Sequence, residues 1–395
     1  MIHLNPDPGE LEGLPNLVLG PLALAPPRTL SGDSPHYLVS INSLIEDGDF
    51  DLANNYRQAL LSDWDAGVRL RAVPLVHHAE TDRLGRERGT HSPFFALVLA
   101  AFLWPLASTN WVEPGAVILN LLVAWLGLVV LMRSQRSGNS ETTARILLLG
   151  LASPLWCYSR DLWTEPWVMT CWIVLLGSRR PGLVFSFGLL GTLFKYPFAV
   201  VPLGFAVAEF LCARRDSNAG SLAHRKLMWA HLAAAGVGLV SILGVVQLLF
   251  RESDHFSWFH SGIHSSFGIP GWSLFGLLVD PANGLLWFFP ILIFSFLNIR
   301  SSYPQQWIPF LAFFLVHAAY QDWGGGTGFA ARYLVPALPV LVGWIALRTR
   351  SRWLVPVAVW SLFWGVLGGL LPALVFDRTP WGVVEHVFAK IQEWV

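Results

Sequence analysis

Residues 114–132 read PGAVILNLLVAWLGLVVLM, a stretch without a single charged side chain. A helix of that length rises about 28 Å, which is close to the ~30 Å thickness of the hydrocarbon layer of a bilayer. Residues 228–250 and 353–376 form two more long apolar blocks. Their apolar residues do not alternate with polar ones, as they would in the strands of a membrane barrel. The sequence therefore predicts an all-α integral membrane protein.

The composition of the whole chain supports the same class. Of the 395 residues, 54% are hydrophobic and 13% are charged, whereas soluble domains carry about 25% charged residues. Further apolar segments lie between residues 93 and 347, so we expect a polytopic bundle of about 10–12 transmembrane or re-entrant helices. The net charge of zero does not indicate a nucleic-acid partner. The three cysteines have no CxxC spacing, so we interpret them as ordinary helix residues.

The chain is interpreted as one transmembrane domain, 1–395, because no internal repeat is evident. Residues 14–27 are apolar but short and contain four prolines, so they are either the remnant of a first span or an interfacial segment. The acidic, proline-rich N-terminus does not have the pattern of a cleavable signal peptide. Residues 28–92 are polar, and we expect them to form a partly helical first extracytoplasmic loop.

The distribution of basic residues predicts which side of the membrane each loop faces. One set of loops holds thirteen Lys or Arg residues, and the intervening loops with the C-terminal tail hold six. The first set comprises 133–145, 178–182, 213–227, 298–305 and 348–352. Since Lys and Arg concentrate on the cytoplasmic side, the first set faces inward and the second faces outward.

Under this assignment the apolar segments from residue 114 onward alternate in direction, and only segment 93–107 does not fit. If residues 28–92 face outward, 93–107 cannot cross and is a surface or re-entrant helix. If 93–107 does cross, the 28–92 loop is cytoplasmic or the later assignments shift by one. Its short length and internal proline favour the surface helix.

Asp33 is the first polar candidate in the outward loops. It lies in the stretch GDSPHY at 32–37, and further acids follow at 47–51. The structural alternative is a solvated acidic loop, because Asp and Gly are ordinary turn residues.

The turn at 158–166, YSRDLWTEP, contains the second group of candidates. An ionisable residue at the membrane boundary is costly and is a functional candidate for that reason. Glu165 has no obvious local partner, and Pro166 is suited to the first position of a helix. The alternative is that Arg160 simply pairs with Asp161 at the interface.

Arg332 is the third candidate, at the end of the stretch QDWGGGTGFAARY at 321–333. The glycines allow backbone amides to approach a ligand closely, and the planar guanidinium suits a phosphate. The alternative is a flexible loop beside an arginine that reaches the interface. His91 and the His77–His78 pair are weaker candidates, because a lone histidine is usually structural. The DPANG stretch at 280–284 is typical of a turn that leads into a helix.

The order of these motifs resembles that of bacterial GT-C-type glycosyltransferases. This superfamily includes protein O-mannosyltransferases, aminoarabinose transferases and oligosaccharyltransferases. The resemblance covers residues ~30 to ~345. Each motif is short, so the specificity of the resemblance comes from the order of the motifs and from the side of the membrane on which they lie. The motifs are GDSPHY (32–37), DGDFDLANNY (47–56), HSP (91–93), TEP (164–166), DPANGLLWFFP (280–290) and GFAARYLVP (328–336).

The resemblance implies a GT-C fold and a polyprenyl-phosphate-linked sugar donor. An acid in the first outer loop of such enzymes is catalytic or orients the acceptor, and it matches Asp33. A second acid matches Glu165, a phosphate-binding arginine matches Arg332, and Lys195 is a weaker phosphate-binding match. This chain departs from the pattern in two ways: many relatives carry two adjacent acids where it has Asp33 and Ser34, and a full first helix is expected before that motif.

Elementary chemistry agrees with these roles. A carboxylate at the water–membrane boundary can accept the proton of an acceptor hydroxyl, and the departing lipid phosphate needs fixed positive charge. Outward acids are also compatible with a divalent cation, although their spacing singles out no metal site. The predicted site therefore comprises the catalytic residues Asp33, Glu165 and His91, and the donor-phosphate-binding residues Arg332, Lys195 and Arg160.

The sequence thus predicts a glycosyltransferase of the cytoplasmic (inner) membrane with an extracytoplasmic active face. Its expected partners are the lipid-linked sugar donor, the surrounding lipids and a glycan, lipid or protein acceptor. The alternatives are a transporter or lipid-carrier flippase, and a non-catalytic membrane subunit with a GT-C fold. Transporters usually place charges at mid-membrane, whereas the acids and glycines here lie in outer loops, which favours catalysis.

Overall fold

In this computed structural model the chain forms a bundle of helices. The structure describes residues 33–60, 79–81, 85–89, 91–107, 111–134, 140–215, 218–249, 268–297, 304–320, 323–324, 329–345, 352–370, 382–383 and 385. Several sequence predictions concern residues outside these ranges. They are the apolar stretch 14–27, the His77–His78 pair, the glycines at 325–328 and parts of the loops at 28–92, 133–145, 298–305 and 348–352.

The described residues are almost all helical, as the sequence predicts. The α-helices are α1 (Ser34–Asn42), α2 (Ala53–Leu60), α3 (Pro93–Leu103), α4 (Val112–Ser134), α5 (Ser140–Leu151), α6 (Leu155–Ser159), α7 (Glu165–Gly177), α8 (Pro181–Phe194), α9 (Val200–Arg215), α10 (Asn218–Leu249), α11 (Ser273–Val279), α12 (Leu285–Phe288), α13 (Ile293–Leu297), α14 (Pro304–Ala318), α15 (Leu338–Trp344) and α16 (Leu354–Leu370). Short 3₁₀ turns cover Trp104–Leu106, Tyr196–Ala199, Pro290–Leu292 and Arg332–Ala337, and a π-turn covers Ser43–Asp47. The first loop adds one antiparallel pair of strands, β1 (Ala79–Thr81) and β2 (Glu87–Gly89).

Among the residues that the structure describes, three helical segments are long and apolar enough to cross a membrane: Val112–Ser134, Tyr196–Arg215 and Leu222–Val245. Large side chains on the first of them face away from the protein, since Trp125 is 62% exposed and Leu122 is 53% exposed. Extended apolar surface of this kind marks contact with lipid or with another protein. These helices support membrane association. Five further apolar helices in the described residues are 10–17 residues long, and the number of crossings stays a prediction.

Contacts between neighbouring helices show that α4 and α7 run in parallel. The buried Asn120, near the start of α4, accepts a hydrogen bond from Trp167 in the first turn of α7. At the far ends of the same two helices, Gly177 closely approaches Ser134. We call the end that contains Asn120 and Trp167 the site end. α8 then runs back toward the site end and stops just before Lys195.

Later helices continue this alternation. Gln305, at the start of α14, donates a 2.9 Å hydrogen bond to the sulfur of Cys212 near the end of α9, so the end of α14 lies at the site end. α15 runs in the opposite direction. The carbonyl of Ile345, just after α15, accepts a 3.0 Å hydrogen bond from Arg145 in the first half of α5. The helices α14 and α15 therefore run in opposite directions, as α7 and α8 do.

The helix α3 lies across the site end of the bundle. Ser92, just before α3, donates a 2.6 Å hydrogen bond to the carbonyl of Leu193 at the end of α8. The other end of α3 places Leu103 against Gly115 in the first turn of α4. Both neighbours belong to the site end, so this geometry favours the surface-helix interpretation of 93–107 over a crossing.

Candidate active site

Asp33 is fixed at the start of α1 by its backbone. Its carbonyl accepts hydrogen bonds from the N–H groups of His36 and Tyr37, each 3.1 Å long. The next residue, Ser34, is fully buried, and its hydroxyl donates a 2.9 Å hydrogen bond to the carbonyl of Leu162. The stretch that begins at Asp33 is therefore attached directly to the stretch at 158–166.

Asn120 holds the stretch at 158–166 in place. Its side-chain amide donates to the carbonyl of Tyr158 at 3.0 Å and to that of Asp161, and its oxygen accepts from the indole N–H of Trp167 at 2.8 Å. Glu165 begins α7 directly after this stretch. A carboxylate is favoured there because the N-terminus of a helix carries partial positive charge.

Arg332 follows a strained turn. Ala330 and Ala331 have φ angles of 45° and 44°, in the left-handed region that costs an alanine about 1–2 kcal/mol. The hydroxyl of Tyr158 donates to the carbonyl of Phe329 at 2.7 Å and accepts from its N–H at 2.8 Å, which clamps the start of the turn. Backbone strain of this kind clusters at functional sites, where the surrounding structure holds a side chain in one position.

The structure brings Asp33, Glu165, Lys195 and Arg332 into one cluster at the site end. Oδ2 of Asp33 lies 3.0 Å from Nη2 of Arg332, and Nζ of Lys195 lies 2.6 Å from Oε1 of Glu165. The same Oε1 is 3.9 Å from Nε of Arg332, which joins the two pairs. The four residues come from four separate segments of the chain. Four of the six residues predicted from the sequence therefore meet at one place.

The cluster has an accessible edge and a buried base. The side chain of Asp33 is 18% exposed, those of Lys195 and Arg332 are 14% and 10% exposed, and that of Glu165 is 2% exposed. Two carboxylates balance two cations, so no buried charge is left uncompensated. A ligand that approaches from solvent therefore meets Asp33 and the two cations before it meets Glu165.

Two aromatic rings line the cations. The guanidinium carbon of Arg332 lies 4.7 Å from the ring centroid of Trp163 and 5.0 Å from that of Tyr333. Nζ of Lys195 lies 4.8 Å from the same Tyr333 ring. Cations are attracted to the faces of such rings, so Tyr333 helps to hold two like charges near each other. The result is a pair of cations held in fixed positions beside Asp33 and Glu165.

His91 lies behind the cluster, against Tyr37. The centroids of the two rings are 4.8 Å apart, and the ring of His36 is 5.8 Å from that of His91. Burial, followed by the charges of Asp33 and Glu165, raises the pKa of Tyr37 well above its usual value. Tyr37 therefore stays protonated, and the ring of His91 packs against a neutral side chain.

Arg160 is directed toward the end of α16. Its guanidinium donates to the carbonyl of Gly369 and, at 3.2 Å, to that of Leu370. The last carbonyls of a helix lack partners within the helix, so a cation suits this position. These contacts indicate a helix-capping role, whereas the sequence suggested phosphate binding.

The acids at 47–51 are engaged in shaping their own loop. Asp47 accepts hydrogen bonds from the side chains of Asn54 and Asn55 at 3.0 and 3.1 Å, and Asp49 accepts from Ser43 at 3.1 Å. Within the part of the chain that the structure describes, no group of three or more His, Cys, Asp or Glu residues is arranged to hold a metal ion.

Three residues of the site were not singled out from the sequence. Asn120 is a lone polar residue in the middle of an apolar segment, and that position could have marked it. Trp163 and Tyr333 stand next to predicted residues in the chain, but nothing in their spacing shows that their rings face a cation.

Comparison with known proteins does not identify the chain. No protein-family model matches it, and no curated protein or solved structure is significantly similar to it. The assignment to a type of enzyme therefore depends on the motifs and on the geometry of the cluster.

Proposed function

We propose that this chain is a membrane glycosyltransferase of the GT-C type. It would transfer a sugar from a polyprenyl-phosphate-linked donor to a glycan, lipid or protein acceptor at the extracytoplasmic face of the cytoplasmic membrane. The observation that carries the proposal is the cluster of Asp33, Glu165, Lys195 and Arg332. It combines an accessible carboxylate with two fixed cations, which are the groups that this reaction requires.

The donor phosphate is expected to bind Arg332 and Lys195. A guanidinium binds phosphate through two parallel hydrogen bonds, and an ammonium adds a second charge. In the structure Arg332 is already paired with Asp33, since its Nη2 lies 3.0 Å from Oδ2 of that carboxylate. Because a phosphate carries the same sign of charge as Asp33, it competes with Asp33 for Arg332. Donor binding would therefore release the Asp33 carboxylate toward the acceptor.

In the transfer step the oxygen of an acceptor hydroxyl attacks the anomeric carbon of the sugar and forms the new C–O bond. The bond between that carbon and the phosphate oxygen breaks, and polyprenyl phosphate leaves with the electron pair. Arg332 and Lys195 stabilise the departing anion. The hydroxyl proton passes to Asp33, which then returns it to water.

Glu165 and His91 have supporting roles in this proposal. Glu165 is 2% exposed and binds Lys195 at 2.6 Å, so it positions the cations instead of taking a proton from the acceptor. His91 packs on Tyr37 and supports the wall of the site beside Asp33. Of the three residues given catalytic roles from the sequence, only Asp33 keeps one.

The position of the cluster argues for catalysis rather than transport. The cluster lies where α7 begins and where α8 ends, at one end of the bundle. Charged sites of transporters lie near mid-membrane instead. Basic residues of the inward-facing loops, such as Arg133 and Arg214, lie near the opposite ends of α4 and α9. This distribution supports an extracytoplasmic site.

The test uses the purified full-length protein in proteoliposomes. The donors are undecaprenyl phosphate carrying glucose or mannose, and a cell-envelope extract supplies acceptors. We expect the wild type to transfer sugar and Asp33→Asn to transfer it about 10²–10⁴-fold more slowly, because the base is lost. Undiminished transfer by Asp33→Asn would eliminate the role of Asp33, and no transfer by the wild type would contradict the proposed function.

Asp280→Asn is the matched control. The side chain of Asp280 accepts hydrogen bonds from the backbone N–H groups of Ala282 and Asn283 at 2.8 and 2.9 Å. An amide oxygen can accept both bonds, so this variant should keep its activity. The comparison separates loss of a base at position 33 from a general effect of replacing an aspartate by asparagine.

A further inference from the structure

His317 is a buried histidine with one nitrogen that lacks a partner. It lies at the end of α14 and is 2% exposed. Its Nδ1 is 2.9 Å from the carbonyl oxygen of Phe313, and since a carbonyl only accepts, Nδ1 carries the proton. In a neutral ring Nε2 is then an acceptor. Nε2 is buried and has no hydrogen-bond partner among the described residues.

The ring of His317 is one side chain away from the two cations of the cluster. Its centroid is 5.2 Å from that of Tyr333. The Tyr333 ring in turn lies 4.8 Å from Nζ of Lys195 and 5.0 Å from the guanidinium carbon of Arg332. Because Nδ1 is bound to the backbone of α14, Nε2 lies on the ring edge that faces away from that helix.

The chemistry of the position restricts what Nε2 can bind. Two neighbouring cations disfavour a positively charged imidazolium, so the ring is not a further phosphate ligand. A neutral acceptor that is buried without a partner destabilises the protein, and a bound ligand with a hydrogen-bond donor removes that penalty. Sugar hydroxyls are such donors.

On the basis of the proposed function, we propose that Nε2 of His317 accepts a hydrogen bond from the sugar of the lipid-linked donor. The phosphate is attached to the anomeric carbon and is held by Lys195 and Arg332. The hydroxyl on the adjacent carbon, the 2-hydroxyl, is therefore the sugar hydroxyl nearest to the cations, and His317 lies one ring beyond those cations. The site then selects donors with a free 2-hydroxyl and discriminates against 2-deoxy sugars.

The test compares donors that differ at carbon 2. Glucose and mannose have the same 2-deoxy derivative, so one analogue linked to undecaprenyl phosphate serves for both. We expect the kcat/KM of the wild type to be about tenfold or more higher for the better natural donor than for the analogue. The reason is that the analogue cannot donate the hydrogen bond from its 2-position to His317. A wild-type ratio near one overturns the proposal without any variant and leaves the proposed glycosyltransferase function intact.

Variants at position 317 test the residue itself. His317→Phe should bring the ratio close to one by lowering kcat/KM for the natural donor alone, whereas His317→Gln, which keeps an acceptor, should retain part of the preference. A purely structural role would lower the rates on both donors equally and keep the ratio, and that result overturns the proposal. If the wild type transfers neither sugar, the proposed function and this inference fail together.

His231→Phe is the matched control. His231 is also 2% exposed, and its Nδ1 also lacks a hydrogen-bond partner among the described residues. It lies in α10 and stacks on Phe205 of α9, with ring centroids 5.0 Å apart. Since its contacts are with α9 rather than with the cluster, its loss should leave the ratio unchanged. A change in the ratio equal to that of His317→Phe would show that any buried histidine affects it, and would overturn the proposal.

Discussion

At the scale of single residues, Ser34 has a structural role. Many of the GT-C-type enzymes that the motif at 32–37 resembles carry an acid at this position, but here the hydroxyl donates to the carbonyl of Leu162. A carboxylate cannot donate that bond, and an aspartate at this fully buried position would lie next to Asp33. The serine therefore suits a chain in which one acid faces the site and its neighbour joins two loops.

We predict that Ser34→Ala lowers the free energy of unfolding by about 1 kcal/mol, because the carbonyl of Leu162 loses its donor. Ser34→Asp should destabilise more strongly, since it also buries a charge. Thermal unfolding in detergent measures both effects. Ser134→Ala is the control, because Ser134 makes a similar bond to the carbonyl of Leu131 at an exposed position. Equal stability of Ser34→Asp and wild type would contradict the assigned contact.

Arg332 provides the second prediction at this scale. Its guanidinium contacts Asp33 and lies over the rings of Trp163 and Tyr333. A lysine keeps the charge but loses the planar fork, so Arg332→Lys should raise the KM for the lipid-linked donor at least about tenfold. Steady-state transfer kinetics measure the change. Arg160→Lys should have little effect, because a lysine can still donate to the carbonyls at the end of α16. The reverse order of effects would assign phosphate binding to Arg160.

The sequence predicted which charged residues belong to the cluster better than it predicted their neighbours. Glu165 was selected because an ionisable residue at a membrane boundary is costly, whereas Asp33 and Arg332 were selected for the stretches in which they lie. His91 was selected for its place in a motif, although its ring packs on Tyr37. His317 was not selected, because the sequence of an apolar helix does not reveal which ring nitrogen of a single histidine forms a hydrogen bond. That information depends on the packing of α14 against Tyr333.

At the scale of elements, the length of an apolar segment does not by itself decide whether the segment crosses the membrane, as α3 shows. Segment 93–107 is apolar enough for a membrane but short, so the sequence left two interpretations open. The contacts of Ser92 with Leu193 and of Leu103 with Gly115 place both of its ends at the site end. These contacts are between distant segments, and no local pattern encodes them.

The turn before Arg332 gives a prediction at the same scale. Ala331→Val should destabilise the protein and lower transfer, because a β-branched residue strongly disfavours a φ of 44°. Ala331→Gly should leave stability nearly unchanged, since the relief of about 1–2 kcal/mol of strain offsets the loss of a buried methyl group worth about 0.8 kcal/mol. Thermal unfolding and transfer assays on the two variants measure this. A valine variant as stable as the glycine variant would contradict the left-handed turn.

At the scale of the whole molecule, two independent observations divide the chain in the same way. The distribution of Lys and Arg assigns residues 160, 165, 195 and 332 to one side, and the helix contacts place all of them at the site end. The sequence could predict this division because alternate loops from residue 114 onward differ in their content of Lys and Arg. It could not predict how far each broken helix extends into a bilayer, and the predicted number of crossings depends on that depth.

The last prediction concerns sidedness. In a chain whose three native cysteines are replaced by alanine, we place single cysteines at the exposed positions Asp49, in the first loop, and Arg215, at the far end of α9. A membrane-impermeant maleimide applied to intact spheroplasts should label Asp49→Cys, whereas Arg215→Cys should react only in inverted vesicles. The reason is that Asp49 belongs to the loop that carries Asp33, while Arg215 belongs to a basic loop that the positive-inside rule assigns to the cytoplasm. Denatured samples of both variants should label fully, which controls for reactivity. A reversed pattern would place the cluster on the cytoplasmic face and remove the basis for an extracytoplasmic, lipid-linked donor.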